Sequence, residues 1–271
     1  MPSENALPAL NPIVDEAYEV FGSYKPNLPL HSCGCDMCVP PEMQKEIIST
    51  PLRDLPLGLL QSWEESAAAN ASVAADDNFD LGEAWSLEVR AFLPRIMQAL
   101  AEGEEPSTLG IENAFRTAAQ ADWTMWPDQE RKLLARFAEE YFLCSLNRVA
   151  LSWAPIGHVL KYGTDGDEAA VMLLVMGIDV ERVIALWDKA PDPAGAVHLA
   201  EARRSLEYDA GCNAEVYGSV WLEDQKEACA RLGHWLMSDD ANARLEAAFF
   251  AILGDDHDAK AMREIISRGL N

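Results

Sequence analysis

PDQERKLLARFAEEYFLCSLNRVA, residues 127–150, decides the fold class. Leu133, Leu134, Phe137, Tyr141, Phe142 and Leu146 recur at the three- and four-residue spacing that lines one face of a helix. Pro127 and Asp128 suit its start, because proline loses no hydrogen bond at the first helical position and a carboxylate faces the positive end of the helix dipole. The same periodicity extends in both directions. On the N-terminal side it predicts helices over 13–21, 41–50, 56–69, 85–101 and 109–121, with 71–80 as a loop, Ser107 as a cap and Pro94 as a kink or first-turn residue. On the C-terminal side it predicts helices over 167–176, 179–189, 193–206, 222–237, 241–253 and 258–268. Strand-type alternation is scarce, and no Asn-Gly or Asp-Gly turn joins two β-branched runs. The expectation is an all-α fold, an irregular orthogonal helical bundle or α-superhelix. No repeat period recurs, so the sequence does not support a regular solenoid.

The organisation read from this pattern is an extended N-terminal arm over 1–40 that carries a cysteine cluster, then a single helical domain over 41–271. A turn-rich stretch at 153–166 marks a subdomain joint. The 271 residues are 49% hydrophobic and 24% charged, enough for an ordinary core. The net charge of −24 is not ordinary, with 45 acidic against 21 basic residues. It works against binding to nucleic-acid phosphates or anionic membranes and favours a basic protein partner, or serves solubility alone. The acidic clusters, such as Asp239-Asp240 and Asp255-Asp256 with Asp258, sit in loops or at helix starts, where capping and solvation account for most of them. The longest apolar run, Ala169–Gly177, is too short to span a bilayer. Met1–Asn5 lacks a basic region and a continuous apolar segment, so a cytoplasmic location with reduced thiols is expected.

The stretch His31-Ser32-Cys33-Gly34-Cys35-Asp36-Met37-Cys38 is the candidate metal site. Cys35 and Cys38 form a C-x-x-C knuckle, Cys33 adds a third thiolate, and His31 completes a Cys3His set of the kind that zinc takes. Cys212, Cys229, His234 or His198 are alternative fourth ligands. Free or redox-active thiols and an iron–sulfur cluster remain alternatives, although no βαβ pattern surrounds the cluster and the radical-enzyme spacing is missing. A zinc here would staple the arm. No nucleophile elbow, phosphate loop, His-Glu-x-x-His or Glu-x-x-His motif occurs, so no catalytic residue is assigned. Most of the eight tryptophans fall on apolar helix faces and read as core, His198 reads as a satisfied core histidine, and Arg53 and Arg95 read as buried-pair arginines at helix starts.

The cluster followed by Pro51-Leu52-Arg53-Asp54-Leu55, with Phe92-Leu93-Pro94-Arg95-Ile96, His198-Leu199-Ala200, Trp235-Leu236 and Arg244–Phe250, resembles a widespread family of uncharacterised bacterial proteins with an N-terminal C-x-C-x-x-C and an all-helical, Trp-rich body. The resemblance covers about 31–250. It implies a continuous helical fold and a metal at the cluster, and no activity. Three functional classes follow: a binding protein, such as an immunity or inhibitor protein that neutralises a basic toxin; a metal-dependent enzyme with an open position on a Cys-ligated zinc; and a zinc-stapled assembly domain. The first is the reading preferred here.

Overall fold

A computed structural model describes residues 6–32, 38–76, 82–155, 157–160, 166–208, 214–215 and 225–270. The fold is all-α, as expected, with two short antiparallel strand pairs among the described residues. The chain divides into two compact units, 1–141 and 142–271, and the division falls inside a helix ahead of the joint at 153–166.

In the first unit α1 is Asn11–Val20, α2 Pro41–Ser49, α3 Leu57–Asp76, α4 Gly82–Ala101, α5 Arg116–Gln120, and α6 begins at Asp128. The centre is α4, whose Trp85, Val89, Phe92, Leu93, Ile96 and Leu100 are all buried. Pro94 lies within the helix, which runs through it. The segment read as an arm holds α1, which packs on α4 through buried Leu10, Val14, Ala17 and Phe21. Tyr18 Oη donates to Gln98 Oε1 at 2.5 Å, and Leu7 N–H donates to the Ala101 carbonyl at 2.7 Å. Arg95 is buried, donating to the Leu55 carbonyl and pairing with Glu102 and Glu104. Arg53 is instead exposed, pairs with Asp15, and covers the Tyr18 ring. The helix read over 109–121 is a 3-10 turn, Ile111–Asn113, and then the short α5. Gly110 at φ 102° turns the chain out of helical geometry there.

In the second unit α6 ends at Leu146 and a hairpin follows, β1 Leu151–Ala154 antiparallel to β2 Gly157–Leu160, with Trp153 opposite His158. The remaining described helices are α7 Gly166–Val175, α8 Val180–Lys189, α9 Ala194–Arg204, α10 Lys226–Leu236, α11 Asp239–Ala251 and α12 His257–Gly269, and β3 Glu207–Tyr208 pairs antiparallel with β4 Ala214–Glu215. The core helix is α9, with every residue from Gly195 to Ala202 buried. Gly269 of α12 lies so close to Ala200 that an added Cβ would come within 2.7 Å of the Ala200 Cα, so glycine sets the α9–α12 spacing. Arg203 ties the helix ends together, donating to the carbonyls of Leu236 and Gly269. Trp63, Trp85, Trp123, Trp126 and Trp187 are buried, in line with the core reading, whereas Trp153 is exposed. No described helix is long and apolar enough to cross a membrane.

Candidate functional site

His31 reaches back from the cysteine cluster onto α4. Its Nδ1 lies 2.9 Å from Glu88 Oε2, and its backbone N–H donates to the same carboxylate at 3.1 Å. Glu88 is 2% exposed, and its Oε1 also accepts from the Trp63 indole at 2.8 Å. These donors replace the water that burial removes from the carboxylate. The Glu88 hydrogen bond holds the His31 imidazole above its usual pKa, with burial opposing it. The Trp85 ring meets the His31 ring edge-on at 5.6 Å. Nδ1 is thereby committed to a carboxylate, the arrangement that orients Nε2 in carboxylate–histidine–metal triads. Cys38 is exposed, whereas Cys33 and Cys35 lie outside the described residues. Among the described residues no group of three or more His, Cys, Asp and Glu side chains is arranged to hold an ion.

The alternative fourth ligands differ in availability. Cys212 lies outside the described residues, Cys229 is fully buried in α10, and His234 is exposed on the same helix. His198 is occupied on both nitrogens: Nε2 donates to the Arg148 carbonyl at 2.7 Å, and Nδ1 accepts from Gly166 N–H at 3.2 Å. Its burial, the largest cause, pushes its pKa down to about 4, so it is a neutral core histidine.

A second place with functional character lies on the second unit. Pro193, Ala248, Ala251, Ile252, Leu253 and Met262 line a pocket of about 380 Å³, and Asp192 and Asp256 complete it. Leu253 is 86% exposed, and Phe250, one turn earlier, is 78% exposed. Large apolar side chains this bare cost solvation unless something covers them. The local backbone is tied down by caps and arginine hydrogen bonds. Ser238 caps α11 and Asp256 caps α12, each accepting from the backbone of the first turn. Arg263 donates to the carbonyls of Ile252 and Gly254, fixing the link between these helices. Arg244 anchors α11 to the turn before α9 through the carbonyls of Trp187 and Ala190 and the Asp192 carboxylate. Residues 239–258 carry six acidic side chains against one basic, Arg244, and Arg244 is already paired.

The sequence reading did not single out Phe250 and Leu253 as exposed, or Glu88 as buried. No family model matches the chain, and no curated protein or solved structure matches it. The functional reading therefore rests on this chain's own residues.

Proposed function

We propose that the protein is a binding protein whose docking surface is the α11–α12 pocket and whose partner is a basic protein that presents an amphipathic helix. The observation that carries this is bare Leu253 on the lining of an apolar pocket that also holds Asp192 and Asp256, with exposed Phe250 on the preceding turn of α11. An apolar helix face fills such a groove, and Lys or Arg side chains on its flanks meet the carboxylates. A second copy of this chain fits poorly, because it would bring a further net charge of −24 against the same surface. A basic toxin neutralised by this chain is one partner of the required chemistry. The same charge opposes nucleic acid and anionic lipid as occupants.

The test is fluorescence anisotropy with a labelled synthetic Leu/Lys amphipathic helix and the full chain. The expected result is saturable binding that weakens with salt and falls at least ~10-fold in the double variant Phe250→Ser/Leu253→Ser, consistent with truncation of anchoring side chains. Binding unchanged in that variant, or self-association of the free chain that the variant abolishes, would overturn the reading.

A second reading is favoured by the His31–Glu88 geometry. Zinc held by His31, Cys33, Cys35 and Cys38 would be closed by four protein ligands, a structural rather than catalytic arrangement. His31 Nε2 supplies the nitrogen and Glu88 orients it. Elemental analysis of protein purified without chelator is expected to show Cys35→Ser carrying one zinc per chain fewer than the wild type, together with increased proteolysis near the cluster. Zinc content unaffected by that substitution would count against it.

A further inference from the structure

The β1–β2 hairpin and the start of α12 bring two histidines together. His158 Nε2 and His257 Nε2 are 3.3 Å apart, with the rings nearly perpendicular and their centroids separated by 4.9 Å. Behind each ring stands a carboxylate: Glu264 Oε2 is 2.7 Å from His158 Nδ1, and Asp258 Oδ1 is 3.3 Å from His257 Nδ1. A carboxylate accepts only, so each Nδ1 carries the proton. With both rings neutral, two unprotonated Nε2 atoms then stand 3.3 Å apart, an unfavourable approach that a proton or a metal cation between them relieves.

The backbone is shaped around this arrangement. Gly157 has φ 110°, and a Cβ at that position would collide with the Glu264 carboxylate, so glycine lets Glu264 reach the His158 ring. Glu264 also accepts from His158 N–H, and Arg268 holds Glu264 and donates to the His158 carbonyl. His158 is mostly buried and held from behind, whereas His257 is 74% exposed. The front of the pair is open on the His257 side.

We infer that His158 and His257 form a two-imidazole site for a divalent transition-metal ion of the zinc, nickel and copper group. Two nitrogens ~2.05 Å from one ion at the tetrahedral angle stand ~3.3 Å apart, which matches the observed spacing. Imidazole is the ligand these metals share, and carboxylates on both Nδ1 atoms fix the tautomer that leaves Nε2 free to ligate. The remaining coordination positions fall to water or to a side chain of a partner. The site does not depend on the α11–α12 pocket being occupied.

Nickel titration of the full chain by isothermal calorimetry tests this, using Ni²⁺ alone as the probe in thiol-free buffer. The wild type is expected to bind one equivalent more than His257→Gln or His158→Gln, because the cysteine cluster is intact in all three. Glu264→Gln is expected to weaken that equivalent by about 10- to 100-fold, as loss of an outer-shell carboxylate does. His257 is exposed, so its substitution leaves the helical circular dichroism unchanged and the comparison valid. Equal nickel uptake by the wild type and His257→Gln would overturn the inference and leave a proton shared between two imidazoles. No uptake by the wild type at millimolar nickel would overturn it as well.

Discussion

Both units bury ionisable groups and both bare a large apolar side chain, Asp167 and Glu201 in the second and Met125 in the first, but the balance differs. In the first, Glu64, Glu88, Arg95 and Glu130 are charged side chains at or below 6% exposure. In the second, Trp153, Phe250 and Leu253 are large apolar side chains above 70% exposure. Buried charge constrains the fold, since each such group is satisfied locally or titrates away from charge. Bare apolar surface constrains nothing inside the protein and acquires a purpose only through what covers it. The difference teaches where to look for each role: stability and organisation in the first unit, recognition in the second.

The largest loss of stability is expected at Glu88. Its replacement by alanine strands the Trp63 indole, the His31 backbone N–H and the His31 ring in one step. Losing these partners is expected to destabilise the first unit by roughly 3 kcal/mol. Denaturant unfolding followed by tryptophan fluorescence measures it, and a loss under ~0.5 kcal/mol would mean that the pair is ornamental, at the level of a surface substitution.

An effect of the opposite sign, one that builds with pH, belongs to Glu64. Neither of its carboxylate oxygens has a hydrogen-bond partner among the described residues, and it is 1% exposed. Burial pushes its pKa up to about 8, against the lowering influence of the Ser107 hydroxyl and Arg116. The folded pKa is therefore above the unfolded value of 4.5. The protonated side chain is accommodated at no charge cost below that value, and stability is lost as pH rises from there through the folded pKa. Glu64→Gln, which stays neutral, is expected to gain on the wild type across this window by up to ~1.4 kcal/mol per pH unit. A difference between variant and wild type that does not change with pH would place the carboxyl in contact with water.

The smallest effect on stability is expected where the effect on binding is largest. Phe250→Ser/Leu253→Ser removes side chains that pack against little, so the unfolding free energy should stay within ~0.5 kcal/mol per site. A large loss of stability would instead make this surface part of the core and erase the contrast between the units.

Most helices were legible because their signals are local, although α3 runs on to Asp76 through a stretch of small residues read as the start of a loop at 71–80. Residues 127–150 predicted α6 to within four residues, and Ser238 and Asp256 stand at the starts of α11 and α12, where short polar caps belong. The β1–β2 hairpin was not legible, since Ala154-Pro155-Ile156-Gly157 lacks the usual hairpin dipeptides and the strands are four residues each. The buried acids had a signal that composition hides. Glu88 lies three residues after Trp85 and four before Phe92, an acid in the middle of an apolar stripe, and Glu64 follows Leu60 in the same way. The approach of His158 to His257 had none, because 99 residues separate them and only the tertiary packing of β2 on α12 joins them. The apolar surface at Phe250 was hidden for the opposite reason. A phenylalanine in a helical pattern reads as core, and its exposure follows from which face α11 turns to α9.

Hydrogen exchange of the full chain, with and without the Leu/Lys amphipathic helix, tests the docking surface most directly. Slowed exchange is expected over α11, the link at 252–256 and the first turn of α12, with the first unit unchanged. Binding accompanied by protection in the first unit alone would contradict it, placing recognition where the structure shows organisation.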